Sequence, residues 1–200
     1  DARPAQRSGA ARDPDPPELG DWSTESRHQD PQFSMDLNFD AHGDSDYLHR
    51  DRALRDEVEP KIIVINLVAR EGAFSGGAIE RACAANRLEL GEMSIFHRHE
   101  PGTGRVLFSM ASMVEPGIFP ADAMSGFETP GLSLFTELPG VRDGVEIYNE
   151  MLAAANSLAS ALGAEVQDER HNKLTRQMEK HTRDAIVEHR RKIKLARSRH

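Results

Sequence analysis

Two histidines flank an arginine at His97-Arg98-His99. In a strand, residues two apart share a face, so both imidazoles would point the same way with ligand-like spacing. A zinc site needs further Cys, His or carboxylate ligands, and none is placed in the sequence to complete one. Polar contacts at a strand end are the expected role. Cys83 is the only cysteine, so no internal disulfide can form, which suits a reducing compartment. It falls on the apolar stripe of a helix and reads as a small core residue. The pair Gly76-Gly77 lacks the Gly-Lys-Ser/Thr context of a phosphate loop. No nucleophile stands beside a base. The expectation is a protein that is not an enzyme and holds no metal or cofactor.

Those residues sit in an uneven chain. Residues 1–60 hold 15 Asp and Glu, 7 Arg and no Lys, so the whole net charge of −8 lies there, with six of the eleven prolines. The later residues balance at 18 acidic and 18 basic. Segment 1–57 is Pro-, Asp-, Gly- and Ser-rich with few large aliphatics, too little apolar surface to offset chain entropy. It is expected to be a disordered acidic linker. Its aromatics, Trp22, Phe33, Phe39 and Tyr47, leave room for a short linear motif within "FSMDLNFDAHGDSDYL". A chain that begins at Asp1 is expected to have lost a natural N-terminus. No run of 18 apolar residues is present.

Residues 58–200 are expected to form one domain. "KIIVINLVA" (61–69) is a β-branched strand, apolar on both sides. "SGGAIERACAANR" (75–87) reads as a short helix with Ser75 as its cap. Strands follow at 92–98, 105–114 and 132–138, with an irregular crossover before the last and one helical turn within it. Asp143 and Glu146 open a long helix that Gly163 closes. A short strand at 164–169 and a basic helix at 175–197 complete the order β-α-β-β-β-α-β-α. The predicted class is α+β: a largely antiparallel sheet of five to six strands with three helices on one face.

Three helices cover only one face, yet both alternation sets are apolar in every strand. "GEMSIFHRHE" (91–100) shows this plainly, with Met93 and Ile95 on one side and Phe96 on the other. Either the loop at 115–130 or the N-terminal segment covers the second face, or that face is an interaction site.

The stretches "MSIFHRH", "LFSMASMVEPGIF", "FETPGLSLFTELPG" and "YNEMLAAANSLASALGAEVQDE" resemble the ZipA C-terminal domain family of bacterial division proteins, over essentially all of residues 60–190. The resemblance implies a split β-α-β fold with helices on one face. It implies a shallow apolar cleft on the other, which takes the C-terminal peptide of FtsZ, the tubulin-like division GTPase. It also implies an upstream linker and a membrane anchor before Asp1, placing the domain on the cytoplasmic side of the inner membrane at the septum, where it tethers and stabilises the Z ring. Carried over by motif, the partner-binding positions are Ile62, Val64, Met93, Ile95, Ala111, Met113, Ser133 and Phe135, one alternation set per strand. Glu115 stands at the cleft rim where some relatives have Lys, a reversal that alters long-range attraction to the peptide. The domain is expected to be monomeric. The alternative reading is a nucleic-acid module using the same face and the basic C-terminus. The apolar face lacks the paired aromatics of RNA-binding sheets and residues 61–200 are net neutral, so no nucleic-acid partner is expected.

Overall fold

The computed structural model describes residues 58–198. The linker and motif expected within 1–57 lie outside the described residues. The first strand, β1 (Lys61–Ala69), is followed by the short β2 (Phe74–Ser75) and helix α1 (Gly76–Ala85). Next come β3 (Leu88–Leu90), a 3-10 turn at Glu92–Ser94, β4 (Phe96–His99) and β5 (Val106–Ser112). The crossover holds a second 3-10 turn (Met124–Gly126) and β6 (Glu128–Thr129). The chain then forms β7 (Gly131–Leu138), α2 (Gly144–Leu162), β8 (Ala164–Gln167) and α3 (Arg176–Arg197). Six strands make one antiparallel sheet in the order β3-β4-β5-β7-β1-β8, and β2 pairs separately with β6.

The α+β class expected from the alternation of patterns is the one observed. Strand β1 sits between β7 and β8, paired with β7 along Lys61–Val68 and with β8 along Asn66–Ala69, and its alternate residues Ile63, Ile65 and Leu67 are buried. Ile63, Ile65 and Leu67 point to the helices and join one core with Phe96, Phe108, Met110, Leu132 and Leu134. Ile79 and Cys83 of α1, Ile147, Met151, Ala155 and Leu158 of α2, and Ile186 of α3 fill the opposite side of that core. All three helices therefore contribute to the same layer. The 115–130 crossover also packs there. Its Phe119 and Met124 belong to this core, and the Phe119 ring meets Phe96 edge-on at 4.9 Å and Phe127 at 5.6 Å. That crossover, one of the two covers expected for the second face, is thus committed to the helical side.

Helix ends follow the sequence with one exception. The Asp143 carboxylate accepts the Val145 N–H at 3.0 Å and Gly163 ends α2 in the left-handed conformation. Thr175 caps α3 by accepting the Met178 N–H at 3.3 Å. Ser75 occupies the cap position of α1, but its side chain makes no capping bond. Instead the Gly76 N–H donates to the Phe127 carbonyl at 2.8 Å, so a tertiary contact satisfies that helix start. A Cβ at Gly76 would fall 2.0 Å from the Met124 carbonyl oxygen, so this approach requires glycine.

Two outcomes are expected. Burial, aided by nearby Glu80, pushes the Cys83 thiol up to about 12. The native thiol should therefore stay unreacted with a disulfide reagent at neutral pH and react at the rate of global opening, which denaturant titration checks. Burial alone would raise the Asp143 carboxyl, but the Arg190 guanidinium and the Val145 amide outweigh it and hold the group below its ordinary value. Its contribution is then complete above the unfolded carboxylate range and lost as pH falls through the folded value. Asp143→Ala should cost about 1 kcal/mol at pH 7, a difference that closes in acid, read from unfolding curves at both pH values.

Candidate functional site

The second sheet face is built by the parity opposite to the core set. The Cα register aligns Val64, Phe135, Ser109 and His97 in one row across β1, β7, β5 and β4. The next row holds Asn66, Ser133 and Ala111. Ile62 stands beside Glu137 at the start of β1. Met113 follows β5 with its N–H on the Gly131 carbonyl at 3.0 Å. The structure thus brings Ile62, Val64, Ala111, Met113, Ser133 and Phe135 to one face, with Ile95 just ahead of β4.

Accessibility divides this set. Ile62 is 48 % exposed and Met93 47 %, while Val64 and Met113 are half-buried. Phe135, Ala111, Ile95 and Ser133 are buried, yet the first three lie outside the main core cluster. The face thus has an accessible rim and a buried floor. Glu115 is exposed in the loop after β5.

Two devices shape the floor. Asn66, the one polar side chain inside β1, accepts the Ser133 hydroxyl at 2.7 Å and donates to the Asp168 carbonyl at 2.9 Å. Asp168 in turn accepts the N–H groups of Arg170 and Asn172 at 2.9 and 2.8 Å, folding the loop after β8 against the sheet. A buried amide must find such partners or carry its desolvation cost. Gly131 supplies the second device. A Cβ there would sit 2.1 Å from the Met113 sulfur and 3.0 Å from the Leu67 carbonyl oxygen. The missing side chain is the slot in which the Met113 thioether lies, across β7.

Met93 is not on a strand, contrary to the sequence reading of 92–98. Met93 and Ser94 have φ of 57° and 55°, a left-handed backbone that ends strand geometry and costs roughly 1–3 kcal/mol per residue. The strand begins only at Phe96. Before the turn lies β3, which the sequence reading missed although "LEL" alternates and Gly91 follows it. His97 and His99 do share a neighbourhood, with ring centroids 6.0 Å apart, but a register shift falls between Arg98 and His99. His97 is occupied at both nitrogens: Nδ1 meets the Ser109 hydroxyl at 2.8 Å and Nε2 the Glu92 carbonyl at 2.9 Å. Among the described residues no group of three or more His, Cys, Asp or Glu is arranged to hold a metal.

Sequence comparison gives the family. The family model "ZipA, C-terminal FtsZ-binding domain" matches residues 61–185. The chain belongs to this family. ZipA relatives match at length: "Cell division protein ZipA" of Pseudomonas syringae pv. syringae (strain B728a) is 38 % identical over 182 residues, 83 % of this chain and 63 % of the relative. That of Stutzerimonas stutzeri (strain A1501) is 36 % identical over 187 residues, 86 % and 68 %. The ZipA of Ectopseudomonas mendocina (strain ymp) is 44 % identical over 131 residues, 64 % and 48 %. The chain spans about half to two thirds of the length of these ZipA relatives.

The Gly131 slot gives a direct test. Gly131→Ala should destabilise the domain by about 1–3 kcal/mol through overpacking. Adding Met113→Ala should return part of that loss, because the sulfur is the nearer obstacle. Melting curves of the single and double variants decide the point.

Proposed function

We propose that this chain binds the C-terminal tail of FtsZ on the second sheet face, with Ile62, Val64, Met93 and Met113 as the accessible contacts. Ile95, Ala111, Ser133 and Phe135 form the floor, and Glu115 stands at the rim. The observation that carries the reading is the convergence of six of these positions on the sheet side that the helical core leaves free. Membership of a family described as FtsZ-binding supports it.

The chemistry suits a short, weakly held segment. A peptide lying partly extended and partly as an amphipathic helix would set apolar anchors against the rim. Each well-buried Ile, Leu, Met or Phe gains about 1.5–3 kcal/mol. A few anchors, less the roughly 2–5 kcal/mol needed to order a disordered tail, give a Kd on the order of micromolar. That weakness fits a tether: a filament displays many tails, a membrane gathers many receptors, and avidity supplies the grip. Among the described residues no helix is long and apolar enough to cross a membrane. In this reading, attachment to the inner membrane comes from another part of a longer protein.

Fluorescence anisotropy of a labelled FtsZ C-terminal peptide, titrated with the 1–200 chain, tests the proposal. Ile62→Ala and Met93→Ala should each weaken binding about 5-fold, the loss of roughly 1 kcal/mol of apolar contact, without lowering the melting temperature. Phe135→Ala should lower both affinity and stability, since its ring is 2 % exposed. Unchanged affinity in both rim variants, or no saturable binding by the parent chain, would refute the assignment.

A further inference from the structure

His97 is a buried polar group on the face that the core leaves free, and it is too enclosed to serve as a contact: only 8 % of it is exposed. Its bonding fixes its tautomer. The Glu92 carbonyl can only accept, so Nε2 carries the hydrogen and donates to it. In the neutral ring Nδ1 then accepts the Ser109 hydroxyl. Ser109 is on β5, opposite His97 in the register. The imidazole is therefore a strut from the sheet to the backbone of the 3-10 turn at Glu92–Ser94.

That turn has reason to need one. Two successive non-glycine residues, Met93 and Ser94, hold positive φ, a conformation that persists only when its surroundings over-determine it. Its other restraints are backbone bonds. Gly91 N–H donates to the Ile95 carbonyl at 2.9 Å, Ser94 N–H to the Gly91 carbonyl at 3.2 Å and Ile95 N–H to the Glu92 carbonyl at 3.3 Å. Phe119 N–H donates to the Ser94 carbonyl at 2.8 Å, tying the far side of the turn to the core crossover. On the near side, a Cβ at Gly91 would come within 3.0 Å of the His97 ring, which shows how closely the turn is seated on the imidazole. Among the described residues, His97 is the side chain hydrogen-bonded to the carbonyl that directly precedes Met93. Met93, 47 % exposed, is what the turn displays.

We propose that His97 is a positioning residue for partner binding: through the Glu92 carbonyl it holds the turn that presents Met93 to the ligand. The inference rests on the reading of Met93 as a contact for the FtsZ tail.

The test uses the 1–200 chain with 13C-labelled methionine methyl groups, the Met93 signal being assigned by its loss in Met93→Ala. In His97→Ala the Met93 methyl should move toward the shift of an unstructured methionine, while the Met113 methyl stays in place. Binding of the labelled FtsZ peptide should weaken about as much as in Met93→Ala, and the double variant should bind no more weakly than Met93→Ala alone. His97→Gln, whose amide can donate to the same carbonyl, should recover both readouts. A Met93 methyl unmoved in His97→Ala would overturn the proposal. So would a binding loss that adds in full to that of Met93→Ala, or a Gln variant no better than Ala. If the parent chain binds no peptide, the functional assignment fails, while the methyl signal still decides whether His97 holds the turn.

Discussion

The antiparallel pairing of β1 with β7 is the constraint on which the rest depends. It runs from Lys61 opposite Leu138 to Val68 opposite Gly131 without a break. Because side chains alternate, this one register sends Ile63, Ile65, Leu67, Leu132 and Leu134 to the helices and Ile62, Val64, Ser133 and Phe135 to the other side. A slip of one residue would turn one strand over relative to the other. With β1 turned, Asn66 would enter the apolar layer, away from the Ser133 hydroxyl and the Asp168 carbonyl. The polar pair at the centre of the sheet thus helps to fix the register.

From that register the two layers take different tasks. One is packed by three helices and the crossover and contains nearly all the large apolar volume. The other carries polar bridges among its apolar side chains. Ser133, Asn66 and Asp168 lock one end; Ser109, His97 and Glu92 lock the other. Between them lie Val64, Ala111 and Phe135. Such bridges hold a surface in shape, and a surface shaped in advance loses less freedom when it binds a partner.

Much of the fold was legible because it is carried by local patterns. The limits of β1 coincide with a β-branched run, and α2 begins at an aspartate cap and ends at a glycine. Ser75 is the cap residue of α1 as its type suggests, but its side chain makes no capping bond, and the Phe127 carbonyl, from a distant stretch of chain, accepts the first helical amide. The candidate site was legible in part. Strand parity put Ile62, Val64, Ala111, Ser133 and Phe135 on one face, as the register has them, since parity is a property of the strand itself. "MSIFH" alternates as a strand does, but the left-handed backbone of Met93 and Ser94 goes with the Phe119 amide, which comes from a distant stretch of chain, and with the His97 ring folding back to the Glu92 carbonyl, and alternation registers neither. Gly131 carried no visible signal, for its value lies in the space above it. Asn66 did carry one, as the lone amide in an aliphatic run.

The sheet ends in β3, of three residues, and β8, of four. Lys173 pairs with Gln167 just beyond, so part of the outer rim of β8 is already occupied by the chain's own return. Exposed strand rims invite pairing between molecules, and brevity, charge and cover are what discourage it. With rims this short and partly covered, copies of the domain brought side by side have little free backbone on which to build a continuous intermolecular sheet.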